Sequence, residues 1–332
     1  MISKHTFLLK LGVVILLLVA GCDSTFGRAA WLNRQTKIVT HKDLEYSSYA
    51  TKQGKQKLLL DLFVTEQNTS QPLPVLIYIH GGGWFRGSKD LCQKNIQKRQ
   101  GMEKFIERGY ALACINYRLS DRAIFPAQIQ DIKTSVRWLR QNANKYNLNP
   151  DKIGAWGESA GGHLSALLGT SAGVKELEGN PKNPQYSSRV QAVVNLYGPT
   201  DFTKVPPAFD QPYTPAVEKY KERPWYHYTK VTNLLLGGPV SKNLKLATLA
   251  NPITHIDKND PPFLIAHGGL DDIVPLSQSE LLVKALRAKG VEVTYIQEPK
   301  RNHYFGGDRG EYFAPKYIDM MLDFFDTNLK NK

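Results

Sequence analysis

One stretch limits the folds open to this chain more than any other: Lys152–Ser165, KIGAWGESAGGHLS. Ile153, Ala155 and Trp156 supply a short strand, and Gly157-Glu158-Ser159-Ala160-Gly161 makes a G-x-S-x-G turn. Gly162 through Leu168 then begin a helix rich in Ala and Leu. A strand that feeds a helix through so tight a turn puts the serine in strained backbone angles, its hydroxyl exposed at the sheet edge. Glycine flanks it because a side chain there would collide with the strand or the helix. G-x-S-x-G is common by chance, and what raises it here is its place between a strand signal and a helix signal. An ordinary glycine-rich loop is the competing reading until partners for Ser159 are found.

Around this stretch strands alternate with helices. Thr36–Tyr49 and Leu58–Val64 read as opening strands. Val75–His80 is a continuous apolar run, as expected of a strand buried on both faces of a sheet, and Tyr110–Tyr117, Val190–Leu196 and Phe263–His267 read as further strands. Val291, Val293 and Tyr295 alternate into a last strand. Gly101–Gly109 reads as a helix. Another opens at Phe125-Pro126, with Ile129, Ile132, Val136, Leu139 and Ala143 on one face. Ser277–Lys289 closes on Gly290, and Ala314–Leu329 carries Ile318, Met321, Leu322 and Phe325 on one face. The pattern predicts an α/β domain over 36–332, a mostly parallel sheet covered by helices on both faces. With 332 residues, 42% of them hydrophobic, the chain can bury a full core. The alternation breaks over 200–260. Val205–Tyr228 there gathers Phe209, Tyr213, Tyr220, Trp225, Tyr226 and Tyr228 among prolines. A cap or substrate wall is favoured over a mere surface excursion, because long irregular insertions in compact domains are usually functional.

The N-terminus reads as a targeting segment over 1–21. Lys4 and Lys10 precede a short apolar run that ends in Val19-Ala20-Gly21-Cys22. Small residues before a cysteine resemble a bacterial lipobox, which implies lipidation of Cys22, a tether over 22–35, and an exported protein held at a membrane. A plain secretory signal is the alternative. The net charge of +13 is dispersed and reads as a solvated surface. No stripe or recognition motif accompanies it, so no nucleic-acid partner is expected. Cys92 and Cys114 would be free to pair in an exported protein, but Cys114 sits in an apolar strand, and the favoured reading is a small core residue. No Cys/His cluster has metal-ligand spacing.

A serine hydroxyl is a poor nucleophile and needs a base held by a third group. Asp271 follows the Phe263–His267 strand, and His303 follows the last strand. Loops after parallel strands open on one edge, so Ser159, Asp271 and His303 converge, in the chain order Ser…Asp…His of the α/β-hydrolases. On an extended loop the side chains of Asp271 and adjacent Asp272 point in roughly opposite directions, so only one of the two reaches the imidazole. His80-Gly81-Gly82-Gly83 follows a buried strand, and the N–H groups of Gly82, Gly83 and Ala160 are the candidates for an oxyanion hole.

With these pieces in place the chain resembles the α/β-hydrolase esterases of the hormone-sensitive-lipase type, in the branch called feruloyl-esterase-like or carboxylesterase-like. The resemblance rests on His80-Gly-Gly-Gly-Trp84, Asn116-Tyr-Arg-Leu119, Phe125-Pro-Ala127, Gly157-Glu-Ser-Ala-Gly-Gly162, Asn195-Leu-Tyr-Gly-Pro-Thr-Asp201, Asp260-Pro-Pro-Phe263, His267-Gly268 with Asp271-x-x-Val274-Pro275, and His303. It departs at Val205–Tyr228, longer and more aromatic than expected of the branch. It implies a serine hydrolase of short-acyl, aryl or sugar esters that works through an acyl-enzyme, with no cofactor and no metal. An arylformamidase or other small-amide hydrolase is the alternative, and a catalytically dead binding lipoprotein ranks below it.

Overall fold

Eight strands form one sheet in the order β1-β2-β4-β3-β5-β6-β7-β8. They are β1 (Ile38–Thr51), β2 (Gly54–Thr65), β3 (Leu73–Ile79), β4 (Ala111–Ile115), β5 (Leu148–Glu158), β6 (Ala192–Leu196), β7 (Phe263–Gly268) and β8 (Val293–Glu298). β1 and β2 run antiparallel to their neighbours, and the other pairings are parallel. This computed structural model describes residues 37–66, 71–180, 183–204, 224–305 and 313–331. The chain divides into Met1–Thr36 and Lys37–Lys332, and every described residue belongs to the second unit. The targeting segment, the tether and Cys22 therefore lie outside the described residues, as do 205–223 of the aromatic stretch.

Period-two alternation sends neighbouring side chains of a strand to opposite faces. Val75, Ile77 and Ile79 of β3 enter one core, with Ile129, Ile132, Val136 and Leu139 of α3 (Ala127–Gln141). Leu76 and Tyr78 enter the other, which holds Cys92 of α1 (Asp90–Gln97), Phe105 of α2 (Glu103–Glu107) and Tyr317, Ile318, Met321 and Phe325 of α8 (Pro315–Phe325). Each of the aliphatic, Met and Phe side chains among these, fully buried, contributes roughly 1.5–3 kcal/mol. α4 (Ala160–Thr170) is buried on every side, which is why its sequence is apolar all round rather than striped.

The chain leaves β3 for β4 on one side and returns to β5 on the other. The crevice between the C-terminal ends of β3 and β5 is thus a topological switch point, where open α/β sheets bind ligands. The glycine loop follows β3, and Ser159 follows β5.

Three local features differ from the sequence expectation. Cys92 and Cys114 are joined in a disulfide across a separation of 22 residues, so the favoured reading of an unpaired core cysteine is corrected. Both are fully buried, and the core environment that suggested a lone thiol is what brings α1 against β4. α1 had no periodic signal, since only Leu91, Cys92 and Ile96 are apolar in DLCQKNIQ. Within 200–260 the described part is regular. α5 (Pro224–Leu236) and α6 (Leu244–Ala250) bury Tyr228, Leu235, Leu236, Ala247 and Ala250 in the same core as α3 and α4. α7 (Ser277–Ala288) covers β7 and β8 on that face through Leu282, Val283 and Leu286.

Candidate active site

Ser159 occupies φ 52°, ψ −120°, a conformation that costs a non-glycine residue about 1–3 kcal/mol. Its surroundings over-determine it. Its N–H donates to Leu196 O on β6 (2.9 Å), and its carbonyl accepts the His163 N–H (3.0 Å) as α4 begins. The turn closes so tightly on β3 that a Cβ at Gly161 would lie 2.0 Å from the Ile79 carbonyl oxygen. No side chain fits there, and the hydroxyl is left at the sheet edge.

His303 Nε2 lies 3.0 Å from Ser159 Oγ, and His303 Nδ1 lies 2.7 Å from Asp271 Oδ2. An ionised carboxylate only accepts, so the proton sits on Nδ1 and Nε2 is left to accept from the serine hydroxyl. Asp271 Oδ1 takes the backbone N–H groups of Ile273 (2.9 Å) and Val274 (2.8 Å). Burial pushes this carboxyl up, but hydrogen bonds from His267 and His303 outweigh burial and hold it well below the ordinary carboxylate range. Asp271 is thus the carboxylate at His303, and Asp272 is exposed. Tyr197, itself at φ 44°, sets its ring edge-on to His303 at 4.8 Å and to Phe305 at 4.9 Å.

The glycine loop stands opposite. Gly82 and Gly83 have φ of +100° and +61°, which suits glycine. Among the described residues no acceptor takes their N–H groups. The N–H of Ala160, first residue of α4, belongs to the helix's unpaired N-terminal set. A Cβ on Gly83 would fall 2.6 Å from Val231 Cγ1, so α5 is seated directly on the loop.

The sequence did not single out the residues that fix this loop. Glu158 Oε1 accepts the Tyr78 hydroxyl and the Gly81 N–H, both at 2.9 Å, and so ties the residue before the nucleophile to the loop. Trp84 Nε1 donates to His163 Nδ1 (3.1 Å), and His163 Nε2 donates to Ala250 O (2.8 Å). Burial pushes His163 down to about 4, so it stays neutral and can accept from the indole. A carboxylate and a histidine set in an otherwise apolar strand end and buried helix were the available signals. Among the described residues no group of three or more His, Cys, Asp or Glu side chains is placed to hold a metal ion.

The site, with a strained serine, an oriented imidazole and free N–H donors, is a familiar arrangement, and comparison gives it a family. The profile of the BD-FAE family matches residues 60–286. The chain belongs to the BD-FAE family. Among curated relatives of this BD-FAE protein is the probable carboxylic ester hydrolase LipM of Mycobacterium tuberculosis (strain ATCC 25618 / H37Rv). It is 32% identical over 258 residues, 76% of this chain and 55% of LipM. Esterase LipC of the same organism is 29% identical over 256 residues, 74% of this chain and 57% of LipC. The chain spans about half the length of these relatives. Among solved structures, a bifunctional GH43-CE protein of Bacteroides eggerthii superposes with a TM-score of 0.70 at 34% identity. That match covers 87% of this chain and 38% of the other. A truncated carbohydrate esterase from gut microbiota gives a TM-score of 0.70 at 28% identity, over 88% and 96% of the two chains.

Proposed function

We propose that this BD-FAE protein is a serine hydrolase of carboxylic esters, with Ser159 as nucleophile, His303 as general base and acid, and Asp271 as orienting acid. The observation that carries this reading is the unbroken hydrogen-bond chain from Ser159 Oγ through His303 to Asp271, facing the glycine loop. Ser159 Oγ attacks the ester carbonyl as His303 Nε2 takes its proton, and Asp271 stabilises the imidazolium. The tetrahedral oxyanion is held by the N–H groups of Gly82, Gly83 and Ala160; one such donor is worth about 2.7–4 kcal/mol of barrier in a known case. His303 returns the proton to the leaving alcohol, and water, activated by the same imidazole, releases the acid from the acyl-enzyme. Esters are preferred to amides because the relatives described above are named as ester hydrolases. Acylated sugars are the favoured substrate class, supported by the similarity to a carbohydrate esterase from gut microbiota over nearly the whole of that chain. A fluorophosphonate probe should label wild type and not Ser159→Ala, and aryl acetate hydrolysis should vanish with the label. Labelling without turnover of any acetylated sugar or aryl ester would overturn the assignment.

We propose further that the enzyme lies outside the cytoplasm, tethered through a diacylglyceryl group on Cys22. The Cys92–Cys114 disulfide supports an oxidising compartment. One acyl chain binds membranes only weakly, so two or more chains on Cys22 make the anchor. Cys22→Ser should abolish detergent partitioning, and a mature N-terminus found downstream of residue 22 by mass spectrometry would refute the tether.

A further inference from the structure

β7 delivers a second imidazole to the acid. His267 is fully buried, with Nε2 at 3.0 Å from Asp271 Oδ2 and 3.1 Å from Val274 O. Both partners only accept, so Nε2 carries the proton. Nδ1 lies 2.7 Å from the hydroxyl of Ser279 on α7, also fully buried, and a neutral ring accepts the serine proton there. Asp271 Oδ2 therefore receives N–H donors from two histidines, while Oδ1 receives two from the backbone. Orienting His303 requires only one of these imidazoles.

The geometry points to His267 as a positioning residue for the reaction, which anchors Asp271 from behind and sets how strongly its charge acts on His303. This rests on the roles proposed above for Ser159, His303 and Asp271. Two backbone donors fix one carboxylate oxygen but leave the group free to pivot about it. The His267 N–H fixes the other oxygen, and so the plane in which His303 is held. Each donor to a carboxylate also draws off part of its charge. With the His267 N–H in place, Oδ2 pulls less on the His303 proton. Ser279 strengthens this N–H by donating to the far side of the ring. The chain of bonds thus runs Ser279–His267–Asp271–His303–Ser159 from α7 to the nucleophile. Among the described residues the titratable groups against His303 are Asp271 and, as ring contacts, Tyr197 and Tyr304. Those nearest His267 are Asp271 and, at 6.5 Å, the Tyr197 ring. Asp272 is exposed and Arg301 half-buried in the flanking loops.

The test compares His267→Leu, which removes the donor, with His267→Gln, whose amide nitrogen reaches about as far as Nε2, and with Ser279→Ala. Two readouts are taken: kcat and KM on an aryl acetate across pH, and the pH titration of the downfield His303 Nδ1 proton by NMR, which needs no turnover. His267→Leu is expected to lower kcat about tenfold or more, with KM within about twofold, the loss of one charge-assisted hydrogen bond. It should also raise the acid-limb midpoint and the NMR midpoint together by about half a unit or more. Gln should restore both. Ser279→Ala should move both midpoints in the same direction by less, and with Gln it carries the test if the Leu variant does not fold. Folded variants whose midpoints all coincide with wild type overturn the role of His267, whatever their melting temperatures. A wild type without esterase activity whose NMR midpoint still shifts as stated overturns the ester reading and leaves His267 in place.

Discussion

Replacing Asp271 by Asn should disable the site through proton bookkeeping alone, without moving an atom of the fold. The side chain's two ends face fixed partners. The Ile273 and Val274 N–H groups require an acceptor, so the amide oxygen takes that side. The amide NH2 is then forced toward His303 Nδ1 and His267 Nε2, where the wild type has an acceptor. His303 must present a lone pair at Nδ1 and carry its proton on Nε2, against Ser159 Oγ, where it cannot take the serine proton. The corresponding change in a serine protease costs about ten-thousand-fold in turnover, or about 5.4 kcal/mol of barrier. Here His267 is disturbed as well. Its bare Nε2 would face the Val274 carbonyl at 3.1 Å, adding a local destabilisation of roughly 1–3 kcal/mol. Asp272→Asn trims an exposed charge and should cost less than about tenfold. Turnover of both variants on one aryl acetate decides the matter, with circular dichroism to confirm folding. A larger loss for Asp272→Asn, or an Asp271→Asn variant above a tenth of wild-type turnover, would refute the reasoning.

Three further outcomes are expected. Gly161→Ala drives a methyl group into the Ile79 backbone and should lower the melting temperature sharply, since overpacking typically costs about 1–3 kcal/mol or more; an unchanged thermal unfolding curve would contradict the packing described. Asp260 is pushed up to about 7 by burial, and its Oδ1 has no partner among the described residues. Its folded-state value lies above the unfolded one, so its stabilising contribution is complete below about pH 4 and lost as pH rises toward 7. Asp260→Asn should therefore raise the melting temperature at pH 8 and leave it nearly unchanged at pH 4, and the opposite pattern in thermal scans would sink the assignment. Changing both Cys92 and Cys114 to Ala should cost about 3 kcal/mol in denaturant unfolding, from a closed loop of this length, and a variant as stable as wild type would show that the bridge contributes nothing.

The sheet and the three residues of the hydrogen-bonded chain were legible because each rests on a local pattern. An apolar run followed by glycine or an acid marks a strand end, and parallel strands bring such ends to one edge. Ser159, Asp271 and His303 each stand just beyond a strand, so topology brings them to one edge, while the choice of Asp271 over Asp272 came from the resemblance. Glu158, His163 and His267 were not legible as partners. Their roles lie in bonds to residues between 4 and 87 positions away, which no period in the sequence encodes. α1 was missed because its burial rests on Cys92 and Asn95 rather than on a hydrophobic stripe. α5 was missed because prolines and aromatics mask its period, and its place is set by tertiary contact with the glycine loop.

That contact has a bearing on how such an enzyme diversifies. Residues 205–223, part of the stretch Val205–Tyr228 where the sequence departs from the branch it resembles, precede α5 directly in the chain. α5 rests Val231 on Gly83 and accepts the Phe125 N–H through Leu235 O. A substitution that shifts α5 therefore also presses on or releases the loop whose Gly82 and Gly83 N–H groups are the proposed oxyanion donors. Under the proposed reaction the helix and the oxyanion donors are mechanically geared, and a library that varies α5 without retaining Val231 will select for repairs to turnover.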